Sequence, residues 1–121
     1  MIRIVGIERS SDAQNEFILL QNQGHMRAHL RGHAIIADKC LSDDCAVPAV
    51  HFFTEDEYVQ PGCFVLLKTG HCDAKWTRTK DGGLLYQATM GRSRSVWDKV
   101  SGTIHVLNVQ HSYCERQAVM V

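Results

Sequence analysis

Asn15-Glu16-Phe17-Ile18-Leu19-Leu20-Gln21-Asn22 is the stretch on which the fold of this chain turns. Four consecutive apolar residues stand between polar pairs. An unbroken apolar run suits a strand that is covered on both sides, or one whose outer face meets a partner. The neighbouring segments share its character, because the dominant periodicity along the chain is two rather than 3.6. Ile2 and Ile4 alternate with Arg3 and Val5 to give a first strand, and Phe17–Leu20 is the second. Gln23-Gly24-His25 reads as a turn, and Leu30–Ile36 as a third strand with Gly32 at a bulge or close approach. Val50-His51-Phe52 is a short strand. Gln60-Pro61-Gly62 is a tight turn, since proline pre-sets φ and glycine supplies a positive one. Cys63–Leu67 follows as the clearest buried strand. Thr69 to Gly83 reads as the longest irregular stretch, Leu84–Tyr86 as a short strand, and Thr103–Asn108 with Tyr113–Val119 as a closing hairpin. Asp12–Asn15 has room for one turn of helix. About eight or nine short strands with frequent turns predict an all-β, immunoglobulin-like sandwich.

Composition agrees with one globular domain over residues 1–121. The chain is 45% hydrophobic and 21% charged, which excludes a disordered polymer. No apolar run approaches the roughly 20 residues that span a bilayer, so no membrane insertion is expected. The first strand begins at Ile2 and leaves no room for a signal peptide; if the chain is complete, the expected location is cytoplasmic. Net charge is zero, but residues 1–60 carry 5 Lys/Arg against 9 Asp/Glu, and residues 61–121 carry 8 against 4. In a two-sheet fold sequence halves do not map onto separate faces, so interspersed surface charge is the expectation, and a bipolar surface favouring self-association is the alternative.

Four words in order carry a family resemblance. They are Asn15–Asn22, Leu30-Arg31-Gly32-His33, Val59-Gln60-Pro61-Gly62 ahead of Phe64–Leu67, and Val96-Trp97-Asp98 ahead of Thr103. Together they resemble the lamin tail domain, from about Ile4 to Val119. Three departures mark a divergent, prokaryotic-type member: His33 stands where tryptophan is usual, Asp98-Lys99 where two asparagines are common, and Ser101-Gly102 where Gly-Asp is usual. The resemblance implies an immunoglobulin-like sandwich and a binding or targeting role. It brings no catalytic residues, so none is assigned and no cofactor is expected. Shared fold alone does not convey function.

Chemistry-bearing residues are scattered. Five cysteines (Cys40, Cys45, Cys63, Cys72 and Cys114) are an odd number, which argues against a disulfide scaffold. Cys63 and Cys114 fall in apolar strand patterns and are expected in the core; Cys40 and Cys45 share a polar loop where a reversible disulfide or chance metal binding would be feasible. Cys40, Cys45, His71 and Cys72 lack the paired spacing of a structural zinc site, so no metal is assigned. His71-Cys72 adjacency does not supply the geometry of a Cys-His nucleophile, and no nucleophile elbow or phosphate loop occurs. His29 and His33 would share a face only on a helix, which the context does not offer.

Lys75, Arg78 and Lys80 flank Trp76, with Arg92 and Arg94 beyond, a pattern that suits phosphate contact with base stacking. A neutral chain lacks the broad positive footprint of a dedicated nucleic-acid binder, so that role is the alternative and a small metal- or thiol-dependent enzyme the third. The favoured function is protein–protein interaction, including self-association, through a sheet edge or an aromatic anchor near Tyr58, Trp76 or Met90. The predicted core comprises Phe17, Ile18, Leu20, Phe52, Phe64, Leu66, Trp97, Ile104 and Leu107, with Pro61-Gly62 as a turn.

Overall fold

A computed structural model of the protein describes residues 1–41 and 49–108. It is all-β. The described strands are β1 (Ile2–Glu8), β2 (Phe17–Asn22), β3 (Ala28–His29), β4 (His33–Ala37), β5 (Val50–Phe52), β6 (Tyr58–Val59), β7 (Phe64–Lys68), β8 (Lys75–Arg78), β9 (Leu84–Thr89) and β10 (Ile104–Asn108). Short 3-10 turns occupy Ala13–Asn15, Asp38–Cys40 and Trp97–Lys99. A five-stranded sheet runs β1-β2-β7-β9-β8, a three-stranded sheet β10-β4-β5, and β3 pairs with β6 as a ribbon. All pairs are antiparallel except β7 with β9.

Alternate residues of the two larger sheets meet in one buried cluster. Ile18 and Leu20 of β2, Val65 and Leu67 of β7 and Ala88 of β9 face Ile35 of β4 and Ile104 of β10, with Leu30, Phe53 and Trp97 filling between. Ile18, Leu20, Leu30, Ile35, Val59, Val65, Leu67 and Trp97 have no exposed surface. Burying a side chain of this kind stabilises by about 1.5–3 kcal/mol. Among the described residues no helix is long and apolar enough to cross a membrane.

Two glycines explain two of the turns. Gly62 has φ +84°, and the Cys63 amide donates to the Gln60 carbonyl at 3.0 Å, which makes Gln60–Cys63 a turn that a side chain at Gly62 would strain. Gly32 has φ 97°, and the His33 amide donates to the Leu30 carbonyl at 3.1 Å. That turn takes the first three residues of the expected third strand, Leu30–Ile36, which begins only at His33; Ala28–His29 ahead of the turn is a separate strand in another sheet. The expected hairpin arm Thr103–Asn108 is β10, but it pairs with β4; Tyr113–Val119 lies outside the described residues.

Three expectations are corrected. The stretch Thr69–Gly83 is not irregular throughout, because Lys75–Arg78 forms β8, the outer strand of the large sheet. Its alternation was hidden by charged residues at both ends, which suit an edge strand. Phe52 is not core: it is 64% exposed, while Phe53 is buried. Successive side chains in a strand point to opposite faces, so a choice between neighbouring phenylalanines inverts the assignment. Leu107 is exposed for the same reason: it pairs with Ala34, which itself pairs with Phe52, so all three share one row. Phe17, Phe64 and Leu66 are half-buried and lie outside the core cluster.

Candidate functional site

Two buried polar residues bracket β2 and fix the large sheet. Glu16 has no exposed surface. Its Oε1 accepts from the Thr69 hydroxyl at 2.8 Å, the Val96 amide at 2.8 Å and the Trp97 amide at 3.0 Å. Its Oε2 accepts from the Asp98 amide at 2.8 Å and the Ser10 amide at 3.3 Å. Burial raises the Glu16 pKa, but the amides of Val96, Trp97 and Ser10 and the Thr69 hydroxyl outweigh it and hold the carboxyl below its ordinary value. At the other end, the Asn22 side-chain amide donates to the Val59 carbonyl at 2.8 Å and the Met26 carbonyl at 2.9 Å, while its Oδ1 accepts from the Gly24 amide at 3.0 Å. Glu16 thus joins the first sequence word to Val96-Trp97-Asp98, and Asn22 joins it to the Val59–Gly62 word.

Between these clamps, β2 and β7 turn one apolar face inward and a second outward. Register places Leu19, Leu66 and Gln87 in one row, Gln21, Phe64 and Leu85 in the next, and Glu8, Phe17, Lys68 and Thr89 in a third. Phe17, Leu19, Phe64, Leu66 and Leu85 are half-buried, and none belongs to the core or packs against it. Outer faces of antiparallel sheets are ordinarily polar. Here the rows carry Phe17, Leu19, Phe64, Leu66 and Leu85 alongside Gln21 and Gln87, with Glu8 and Lys68 in the row of Phe17.

The residues singled out from sequence occupy other places. Trp76 packs against the core, its ring 5.2 Å from that of Tyr86, and its indole N–H donates to Glu57 Oε1 at 2.7 Å. Lys75 and Trp76 are consecutive on β8 and point to opposite faces. Arg78 donates to the Gly82 carbonyl at 3.1 Å, and Lys80 is exposed beyond the strand. The four residues do not share one surface. Met90 packs against the core, leaving Tyr58 as the exposed anchor of the three. Cys63 and Cys72 are free thiols, Cys63 packed against the core, and Cys40 is disulfide-bonded. Cys45 and Cys114 lie outside the described residues. Among the described residues no three His, Cys, Asp or Glu side chains are placed to hold a metal ion.

Sequence reasoning offered an outer face meeting a partner as one explanation for Phe17–Leu20 but did not extend it to Leu66 and Leu85. The signal was two apolar runs, Phe17–Leu20 and Phe64–Leu67, in which both alternating sets are apolar. Compared with models of known protein families the chain matches none, and compared with curated proteins it matches none.

Proposed function

We propose that this chain is a non-enzymatic interaction module of lamin-tail type that self-associates through the outer face of its five-stranded sheet. The observation that carries the proposal is the set of apolar, partly exposed side chains Phe17, Leu19, Phe64, Leu66 and Leu85, which lie outside the core cluster on neighbouring strands. A second copy fits this surface by charge as well as by hydrophobicity. Glu8 and Lys68 flank Phe17 in one row. A two-fold axis along β2, lying between two such sheets, sets Glu8 of one copy against Lys68 of the other and stacks the apolar rows on themselves, as an isologous contact requires.

The lamin-tail assignment rests on the convergence of the sequence words: Glu16 holds Val96-Trp97-Asp98 and Asn22 holds the Val59 carbonyl. The nucleic-acid alternative ranks lower because Trp76, its intended stacking group, is already engaged with Glu57 and Tyr86.

Strands about 4.8 Å apart and residues about 3.3 Å long give this face a footprint of about 400 Å². That is the size of the largest apolar patch on an ordinary monomer, so the dimer is weak and concentration-dependent. Light scattering over a concentration series tests it. Mass is expected to rise towards twice that of the monomer, and Leu66→Glu to abolish the rise while circular dichroism stays unchanged. A monomer at every concentration sinks the proposal.

A further inference from the structure

The second surface of interest lies at the β3–β6 ribbon, away from the apolar face. There the chain forms an open groove of about 630 Å³ lined by Arg27, Arg31, His25, His29 and His33, and among the described residues no aspartate or glutamate lies in its wall. That volume falls in the range of small-molecule sites.

Both guanidinium groups are oriented without a carboxylate. Arg27 lies over the Tyr58 ring, 4.1 Å from its centroid, and among the described residues it has no ion pair. The same tyrosine stacks on His29 at 4.6 Å. Asp56 Oδ1 accepts from His29 Nε2 at 2.7 Å, and Asp56 is not among the described residues of the groove wall. Arg31 donates through Nε to the Thr54 carbonyl at 3.2 Å, which leaves its terminal nitrogens available. His33 is buried and fixed through Nδ1 to the His29 carbonyl at 2.9 Å. The Gly32 turn brings Arg31 and His33 to the same wall.

Cations on a protein surface are usually matched by nearby acids. Two arginines braced by a ring and a carbonyl, lining a concavity with no acid among its described residues, are pre-organised for an anion. A guanidinium fork matches phosphate oxygens, and two of them suit a dianion better than a single carboxylate. We propose that this groove is a binding site for a small phosphomonoester, whose phosphoryl group is held by Arg27 and Arg31 with His25 at the rim. The proposal does not depend on self-association, because none of these residues lies on the outer face of the large sheet.

Calorimetric titration of the intact chain with inorganic phosphate, a nucleoside monophosphate and the corresponding nucleoside tests it. The monophosphate and phosphate are expected to bind and the nucleoside not to. Arg27→Ala and Arg31→Ala are each expected to weaken binding at least about tenfold. Arg31→Lys, which keeps the charge but loses the fork, is expected to recover only part of it. Lys75→Ala and Lys80→Ala are controls that lower the net charge outside the groove and are expected to change nothing. Absence of binding up to about 10 mM ligand overturns the proposal. So does equal weakening by the control variants, which would indicate diffuse charge attraction. Preference for a DNA duplex or a dicarboxylate over the monophosphate, lost with Arg31→Ala, overturns the ligand class.

Discussion

The two faces of β2 are built from nearly the same residues and meet opposite fates. Ile18, Leu20 and Asn22 point inward and are fully buried; Phe17, Leu19 and Gln21 point outward and are half-buried. Apolar character does not distinguish Leu19 from Leu20. What differs is the second sheet: Leu20 belongs to the cluster that includes Leu30, Ile35 and Trp97, whereas Leu19 lies outside it, paired with Gly6 and Leu66. Hydrophobic side chains along a strand therefore fill the core on one face and, on the other, lie half-buried outside it. The inner face owes its place to Glu16 and Asn22, polar residues at the two ends of the same run.

The sharpest way to break that contrast is to remove the clamp. Glu16→Ala leaves the amides of Val96, Trp97 and Asp98 and the Thr69 hydroxyl without their acceptor inside the protein. Buried groups stripped of a charged partner are among the few causes of large single-site effects. The expected loss is about 3 kcal/mol or more in urea unfolding, with Glu16→Gln falling between because its amide nitrogen faces donors. A loss under about 0.5 kcal/mol, the range of ordinary surface changes, would show that the carboxylate is not what joins β2 to Trp97.

A matched pair of truncations measures the contrast directly. Leu20→Ala empties a site with no exposed surface and is expected to cost about 3 kcal/mol. Leu19→Ala, one residue away and half-exposed, is expected to cost less than about 1 kcal/mol when measured on dilute monomer. At high concentration the second value should grow, since there the outer face is covered by the second copy. Equal costs at low concentration would mean that both faces are packed in the monomer.

Much of this architecture was legible from period and punctuation. Alternation placed β1, β2, β5, β7 and β10 within a residue or two, and Pro61-Gly62 announced its turn, because these signals depend on local sterics. Phe52 and Phe53 could not be ordered, since two adjacent phenylalanines carry no parity of their own; the Phe53 amide bonded to the His33 carbonyl at 3.0 Å sets it. The strand β8 escaped because its charges mimic a loop. The groove escaped for a different reason. Arg27 and His29 are distant in sequence from Asp56 and Tyr58, and the β3–β6 pairing of Ala28 with Val59 and His29 with Tyr58 brings them together. Glu16 was read as part of a family word, yet nothing in its neighbours foretold five donors arriving from three other segments.

A pH series probes the burial of two imidazoles, His33 and His51. Burial lowers the His33 pKa from its ordinary 6.5, against the carbonyls of His29 and Leu30, which favour the charged ring. It lowers the His51 pKa likewise, with Glu55 opposing and Arg92 assisting. The unfolded chain therefore takes up protons first as pH falls below 6.5, so stability is complete above that value and declines beneath it. Glu16, held below its ordinary 4.5, acts in the same direction at lower pH: its contribution is present above 4.5 and is lost as pH falls through its folded value. Each histidine contributes at most about 1.4 kcal/mol per pH unit, which keeps the effect below those of Glu16→Ala and Leu20→Ala. Unfolding free energy is expected to drop between pH 7 and pH 5.5, and His33→Gln to flatten the drop without removing it, because His51 still titrates. A profile that is level through this window would mean that neither ring needs to lose its proton to fold. His33, standing where a core tryptophan is usual in the resembled family, would then be no more than a spacer in the wall of the groove.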